Sequence, residues 1–180
     1  VTNCEIAGSL RRKKEVVKDV DIIASSKNPE KLMNYFTELD NIEEIVSKGE
    51  TKTSVRLKSG MMMDLRVVDE DQFPYALHHF TGSKEHNTAL RHRAKKMGIK
   101  INEYGLFKDD ELILCKDEKE FFHALGLNYI PPELRENMGE IEAAEKGELP
   151  QLIEYKDIKG LLHIHTTYSD GSLRVSEMAD

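Results

Sequence analysis

The sequence predicts an α/β fold of the α+β kind, with antiparallel or mixed sheets covered by helices, and three observations predict it. Short runs of apolar and β-branched residues read as strands: Val20 to Ala24, and the pair Thr53 to Leu57 and Met61 to Val68 joined by Lys58-Ser59-Gly60. Segments with helical periodicity stand between and after them: Glu30 to Glu38 behind the turn Ser25 to Pro29, Ser83 to Met97 ahead of Gly98, and Glu118 to Leu125 ahead of Gly126. Finally, 180 residues that are 39 % hydrophobic and 33 % charged can bury a core, as one domain or two small ones.

Composition narrows the function classes. The net charge of −7 argues against a surface that grips nucleic acid all over, yet basic residues gather at Arg11 to Lys18 and Arg91 to Lys100, so an acidic chain can still own a basic cleft. No apolar run is long enough to span a bilayer and the first residues lack a signal-peptide pattern, so the expectation is no membrane and a cytoplasmic location. Cys4 and Cys115 stand in no ligand-like spacing and read as reduced.

The elements follow in order. A strand at Glu5-Ile6-Ala7 meets Gly8-Ser9, which with Arg11 and Arg12 forms a turn where backbone amides, a hydroxyl and two guanidiniums can meet a polyphosphate. In Asp19-Val20-Asp21 strand alternation sends the two aspartates to one face while Val20 and Ile22 face the core. Adjacent carboxylates repel unless a divalent cation sits between them, and oxygen-only donors suit Mg²⁺ rather than Zn²⁺. Either half alone is a solvated turn or an ordinary strand with surface aspartates. Joined at this spacing, they signal nucleotidyl transfer.

The helix from Glu30 presents Leu32, Tyr35, Phe36 and Leu39 on one face, and Ile42 to Val46 makes a short strand. In the hairpin that follows, Asp64 shares a face with Met62 and Arg66, opposite Met63, Leu65 and Val67. His78-His79 reads as part of a turn, with no third ligand near enough for zinc. Ser83 caps the next helix, whose buried stripe is Leu90, Ala94 and Met97; Asn87, Arg91 and Lys95 form its polar stripe. Strands are expected over Ile101 to Phe107 and Leu112 to Leu114, and Pro131-Pro132 closes the segment. Residues 133–160 are acidic and read as a linker with a helical piece at Ile141 to Lys146. His163 and His165 then lie on one face of a strand, with Asp170 on the turn after it.

These motifs together resemble the family X DNA polymerases, relatives of DNA polymerase beta: Gly-Ser ahead of Asp-x-Asp, a third strand aspartate in Met63-Asp64-Leu65-Arg66, and Phe80-Thr81-Gly82-Ser83 followed by Asn87 and Arg91. The resemblance implies a nucleotidyltransferase palm (1–80), a thumb (81–132), a linker (133–160) and, from His163-x-His165 and Asp170-Gly171, the start of a PHP metallophosphoesterase domain (161–180). It implies that Asp19, Asp21 and Asp64 hold two cations, Mg²⁺ or Mn²⁺, about 4 Å apart. Gly8, Ser9 and Arg12 would then meet the triphosphate, Phe80, Gly82 and Asn87 the sugar and base, and Arg91 the template.

His163, His165 and Asp170 would be ligands of Zn²⁺ or Mn²⁺ only in a complete PHP domain. The implied partners are a dNTP and primer-template or gapped DNA, bound by a monomer doing gap-filling repair. The chain reads as a piece starting inside the palm, without the family's fingers. Alternatives are another nucleotidyltransferase acting on a small molecule or RNA, and a catalytically silent DNA-binding fragment. Departures from animal members are Lys13 and Lys18 in place of glycines, His79 in place of tyrosine, and Met62 in place of a basic residue; Leu161 stands where PHP domains often have Asp.

Overall fold

Alternation and pairing build the first sheet. The computed structural model describes residues 1–160 and 163–179. Strands β1 (Asn3–Ile6), β2 (Asp19–Ser25), β3 (Ile42–Lys48), β4 (Lys52–Leu57) and β5 (Met62–Val68) form one five-stranded sheet in the order β1-β2-β5-β4-β3. β2 and β5 pair in parallel and every other pair is antiparallel, so the sheet is mixed. Between β1 and β2 lies a one-turn helix, α1 (Gly8–Arg11), where a turn was expected.

One face of the sheet is closed by helix α2 (Pro29–Thr37): Ala24, Val55, Met63, Leu65 and Val67 meet Met33 and Phe36. Val20, Ile22, Leu32 and Leu39 pack at the margin of that core. Tyr35, expected inside, is 66 % exposed, and Met33 takes its place because the helix is rotated toward Met33 and Phe36.

The opposite face is closed only in part. Ile23 and Ala7 pack under Phe73, Ala76 and Leu77 of helix α3 (Phe73–Thr81). The end of β2 that carries Asp19 and Asp21 is left open. This helix corrects the turn expected around His78-His79. It is buried at Phe73 through His78, so it lacks the polar stripe by which a helix is read from sequence.

Helix α4 (Lys84–Lys96) starts on the Ser83 cap, whose Oγ accepts from His86 N at 3.2 Å. Its buried face is His86, Asn87, Leu90 and Ala94; Met97 is 39 % exposed, against expectation, because it is the C-cap, past the last helical turn. Residues 99–108 form a hairpin, β6 (Ile99–Asn102) and β7 (Gly105–Lys108), rather than one strand, with β8 (Glu111–Ile113) beside β7. The Asn102 side chain accepts from the Tyr104 and Gly105 amides and closes that turn.

Helix α5 (Glu118–Ala124), capped by Asp117, completes the second core around Tyr75, Leu90, Leu106, Phe121, Phe122 and Ile130. Helix α6 (Glu140–Lys146) adds Ile141 and Ala144 to that core, so residues 133–149 are folded structure and not linker. The chain divides into two compact units, Val1–Leu149 and Pro150–Asp180. In the second, described residues 163–179 contain one short helix, α7 (Val175–Ala179), and no strand at His163 to His165. Leu161 and Leu162 lie outside the described residues. Among the described residues no helix is long and apolar enough to cross a membrane.

Candidate active site

Three aspartates share one sheet face where it is left open. β2 and β5 pair in parallel with Asp21 directly across from Asp64, and Asp19 lies one alternation earlier on the same face as Asp21. Burial pushes the Asp21 carboxyl above its ordinary range, and the like charges of Asp19 and Asp64 push it further. Burial also acts on Asp64, but hydrogen bonds from Lys52 and Ser54, with the charges of Lys52 and Arg66, outweigh it and hold that carboxyl low. Lys52 Nζ lies 2.5 Å from Asp64 Oδ2.

This donor set fits divalent cations by chemistry: only carboxylate oxygens, crowded enough to raise one of them, and mounted on paired strands. Among the described residues no three His, Cys, Asp or Glu side chains converge as a finished metal cluster. Lys52 stands against one of the three carboxylates, Asp64.

The basic turn sits beside them. Gly8 has φ +60°, and a Cβ there would run into the Asp21 carboxylate, so only glycine lets the backbone approach. Gly82, φ +70°, faces Arg12: a Cβ would stand 3.2 Å from Arg12 Nη1. Arg12 donates through Nη1 to Thr81 O at 2.5 Å and through Nε to Glu136 at 2.8 Å. Arg11 instead points into a strut: it donates to Thr81 Oγ1 at 2.8 Å and pairs with Glu118 at 2.6 Å, and Glu118 pairs with the fully buried Arg135 at 2.5 Å. Burial raises the Glu118 carboxyl, but Arg135 and Arg11 overcome that and hold it below its usual range. Lys13 adopts φ +53°, so a lysine occupies a left-handed position without glycine's freedom; its Nζ pairs with Glu133 at 2.7 Å.

A cleft of about 550 Å³ joins these parts, lined by Gly8, Ser9 and Arg12, by Asp19 and Asp21, and across from them by His79, Phe80, Gly82, Asn87 and Arg91. Asn87 is buried, not on a solvated stripe, and its Nδ2 donates to His79 O at 2.7 Å. The Phe80 ring lies under the Arg66 guanidinium, 4.2 Å from carbon to centroid. Glu136 also lines the cleft, and sequence reasoning missed it, along with Lys52 and the Glu118–Arg135 pair. No short-range pattern marks those residues. Another hollow, about 480 Å³ beside Lys27, Lys31 and Tyr35, contains no carboxylate among its lining residues, so the chemistry points to the first.

The other predicted ligands are in the second unit. His165 Nδ1 contacts Asp170, and the His163 and His165 rings lie 4.9 Å apart by centroid. All three residues are exposed.

The chain is similar to several known proteins. Residues 76–136 match the family described as DNA polymerase beta thumb. The chain is 44 % identical over 178 residues to the DNA polymerase/3′-5′ exonuclease PolX of Bacillus subtilis, covering 97 % of this chain and 31 % of that protein. It therefore spans about a third of that relative's length. It is 34 % identical over 145 residues to a Repair DNA polymerase X of African swine fever virus, covering 74 % of this chain and 81 % of the viral protein. Among solved structures, polymerase beta of Leishmania infantum in a ternary P/T complex superposes with TM-score 0.64 at 25 % identity, covering 74 % of this chain and 67 % of that one.

Proposed function

Because the chain belongs to the family X DNA polymerases, we propose that it transfers a nucleotidyl group from a dNTP to a primer 3′-hydroxyl, directed by a template and suited to filling short gaps in repair. The observation that carries this reading is the register of Asp21 against Asp64, with Asp21 lining a cleft shared with Gly8, Ser9, Arg12, Asn87 and Arg91. Asp19, Asp21 and Asp64 would hold divalent cations, Mg²⁺ or Mn²⁺, which when bound supply Lewis-acid stabilisation at the α-phosphate and to departing pyrophosphate.

The chain's own residues do the rest. Ser9 and Arg12 bind the β- and γ-phosphates, and the Thr81 carbonyl and Glu136 fix the plane of the Arg12 guanidinium. Asp64, held ionised by Lys52 and Ser54, accepts the proton of the primer hydroxyl. Phe80 and Gly82 shape the sugar pocket, and Asn87, oriented by its bond to the His79 carbonyl, turns its side chain to the base. Arg91, exposed on α4, reaches the template strand. His79 stands at the position expected to discriminate the sugar.

In this reading residues 1–80 are the palm and residues 81–149 the thumb, since α6 packs into the same core as α4 and α5. His163, His165 and Asp170 open a PHP domain that would take Zn²⁺ or Mn²⁺ when complete, a reading supported by the bacterial match running over 97 % of the chain. The working form is a cytoplasmic monomer.

Extension of a primer across a one-nucleotide gap tests the proposal. The expected result is incorporation of the templated nucleotide that requires Mg²⁺ or Mn²⁺ and disappears in Asp21→Asn. Incorporation indifferent to the template base would favour a nucleotidyltransferase of another kind, and DNA binding without incorporation the silent fragment.

A further inference from the structure

Lys52 is a cation on the carboxylate face that touches Asp64 directly, and its part in the proposed reaction goes no further than keeping Asp64 ionised. It lies on β4, directly across from Arg66, and reaches diagonally to Asp64, whose own cross-strand partner is Ser54. Its ammonium is 2.5 Å from Asp64 Oδ2. The face thus carries a quartet: Asp21 opposite Asp64, and Lys52 opposite Arg66. Of the two cations, Arg66 lies over the Phe80 ring, while Lys52 sits on the carboxylate.

We propose that Lys52 is a positioning residue, an internal counter-ion that holds Asp64 in place beside Asp21 when no divalent cation is bound and gives up the carboxylate oxygen when one arrives. This rests on the reading of Asp19, Asp21 and Asp64 as the metal-binding cluster. Two physical points support it. Three carboxylates on neighbouring strands repel, and a charge from the chain itself stands against one of them. An ammonium and a divalent cation cannot share one carboxylate oxygen without mutual repulsion, so their occupancies exclude one another. A lysine suits such a role better than arginine. Its charge is a compact point on a flexible stem that can swing away, whereas a guanidinium grips a carboxylate with two parallel bonds.

The test is Mn²⁺ affinity of the whole chain, measured by loss of the free-ion paramagnetic resonance signal. Lys52→Met should tighten Mn²⁺ binding by about fivefold, the size of a partly exposed ion pair. Lys52→Arg should leave it unchanged or weaken it, and Lys48→Met, which removes a cation bonded to Asn34 instead, should leave it unchanged. A damaged fold weakens metal binding, so tightening cannot be confused with misfolding.

Should Lys52→Met fail to fold, the wild-type chain still decides. Mg²⁺ should raise the acetylation rate of Lys52 relative to Lys48, read by mass spectrometry. Unchanged or weakened Mn²⁺ affinity in Lys52→Met, or an unchanged Lys52 acetylation rate, overturns the proposal. If Asp19→Asn abolishes Mn²⁺ binding while Lys52→Met does nothing, only the role of Lys52 falls. If the wild-type chain binds no Mn²⁺, the cluster falls with it.

Discussion

The sequence pattern picks out two sets of three metal-type donors, and they differ in what stands behind them. Asp19, Asp21 and Asp64 are mounted on paired strands whose other face is packed against α2, so their spacing is fixed by hydrogen-bonded register before any ligand arrives. His163, His165 and Asp170 are all exposed, on a described segment with no strand, where His165 is already in contact with Asp170. The donor count is the same in both. What separates them is whether backbone pairing and a buried face hold the donors apart against repulsion, as preorganisation requires.

The sharpest way to break that comparison is to remove one carboxylate from the mounted set. Asp21→Asn should lower nucleotidyl transfer by at least about a thousandfold, since a developing charge loses its cation. Without metal, the same variant should melt at a higher temperature than the wild type. The Asp21 carboxyl is raised by burial and by Asp19 and Asp64, so its ionised form costs stability that an amide does not. If activity and melting temperature fall together, the aspartates are structural.

A second break goes to the scaffold. Glu118→Gln would leave Arg135, fully buried, without its carboxylate, and Arg11 without the partner that braces the Gly8–Arg12 turn. The expected cost is about 3 kcal/mol, because an unpaired buried charge keeps its desolvation penalty. For a chain of this size that is a fall in melting temperature of roughly 6–12 °C. The double variant Glu118→Leu, Arg135→Met should recover part of it.

How much of this was legible in the sequence follows from the range of each interaction. The Asp19–Asp21 alternation, the hairpin carrying Asp64 and the Ser83 cap are local patterns, and the structure has them as read. Helix α3 was not legible, because a helix buried nearly all round shows no amphipathic period. Tyr35 and Met97 were misplaced because periodicity gives the spacing of a stripe but not which edge of it meets the sheet or where the helix ends. Glu136 and the Arg11–Glu118–Arg135 strut join residues more than a hundred positions from the turn they serve, which no short pattern reveals. The strand expected at His163 to His165 had alternation in its favour, but the described residues offer it no neighbouring strand to pair with.

Acid gives a smaller and graded effect on the scaffold. Burial drives the His78 imidazole well below its usual pKa of 6.5, helped by the charges of Arg135, His86, His79 and Arg11. Burial also lowers His86, against the pull of Glu140, which accepts from its Nδ1 at 2.6 Å, and with the help of Arg135 and Arg12. Both are neutral in the folded chain where the unfolded chain takes up protons, so stability is full above 6.5 and declines as the pH falls below it. The slope is at most about 1.4 kcal/mol per pH unit for each imidazole, and only between its folded and unfolded values. Burial raises the Glu140 carboxyl, but its bonds from His86 and the Met138 amide hold it low, so its own contribution is lost only at more acid pH. Urea unfolding across this range, with His78→Phe removing part of the slope, measures it; a flat profile between neutral pH and about pH 5 contradicts the buried neutral pair.

The smallest expected effect belongs to the unmounted set. His163→Ala should leave the metal content of the dialysed chain unchanged, because His163, His165 and Asp170 do not hold a metal tightly by themselves. Three donors that are free to move lose conformational entropy on ligation and have no outer contacts to fix the imidazole orientation. The contact between His165 and Asp170 adds to this: it satisfies two of the donors with each other, and a cation must break it before binding either. At Asp64 a cation would break a similar internal contact with Lys52 in a frame where Asp21 stands directly across the register, so it would gain two neighbours at once. In the second unit no paired strand supplies that second neighbour among the described residues. One tightly held equivalent of zinc or manganese, lost in His163→Ala, would show that register and burial are not what separates the two sets.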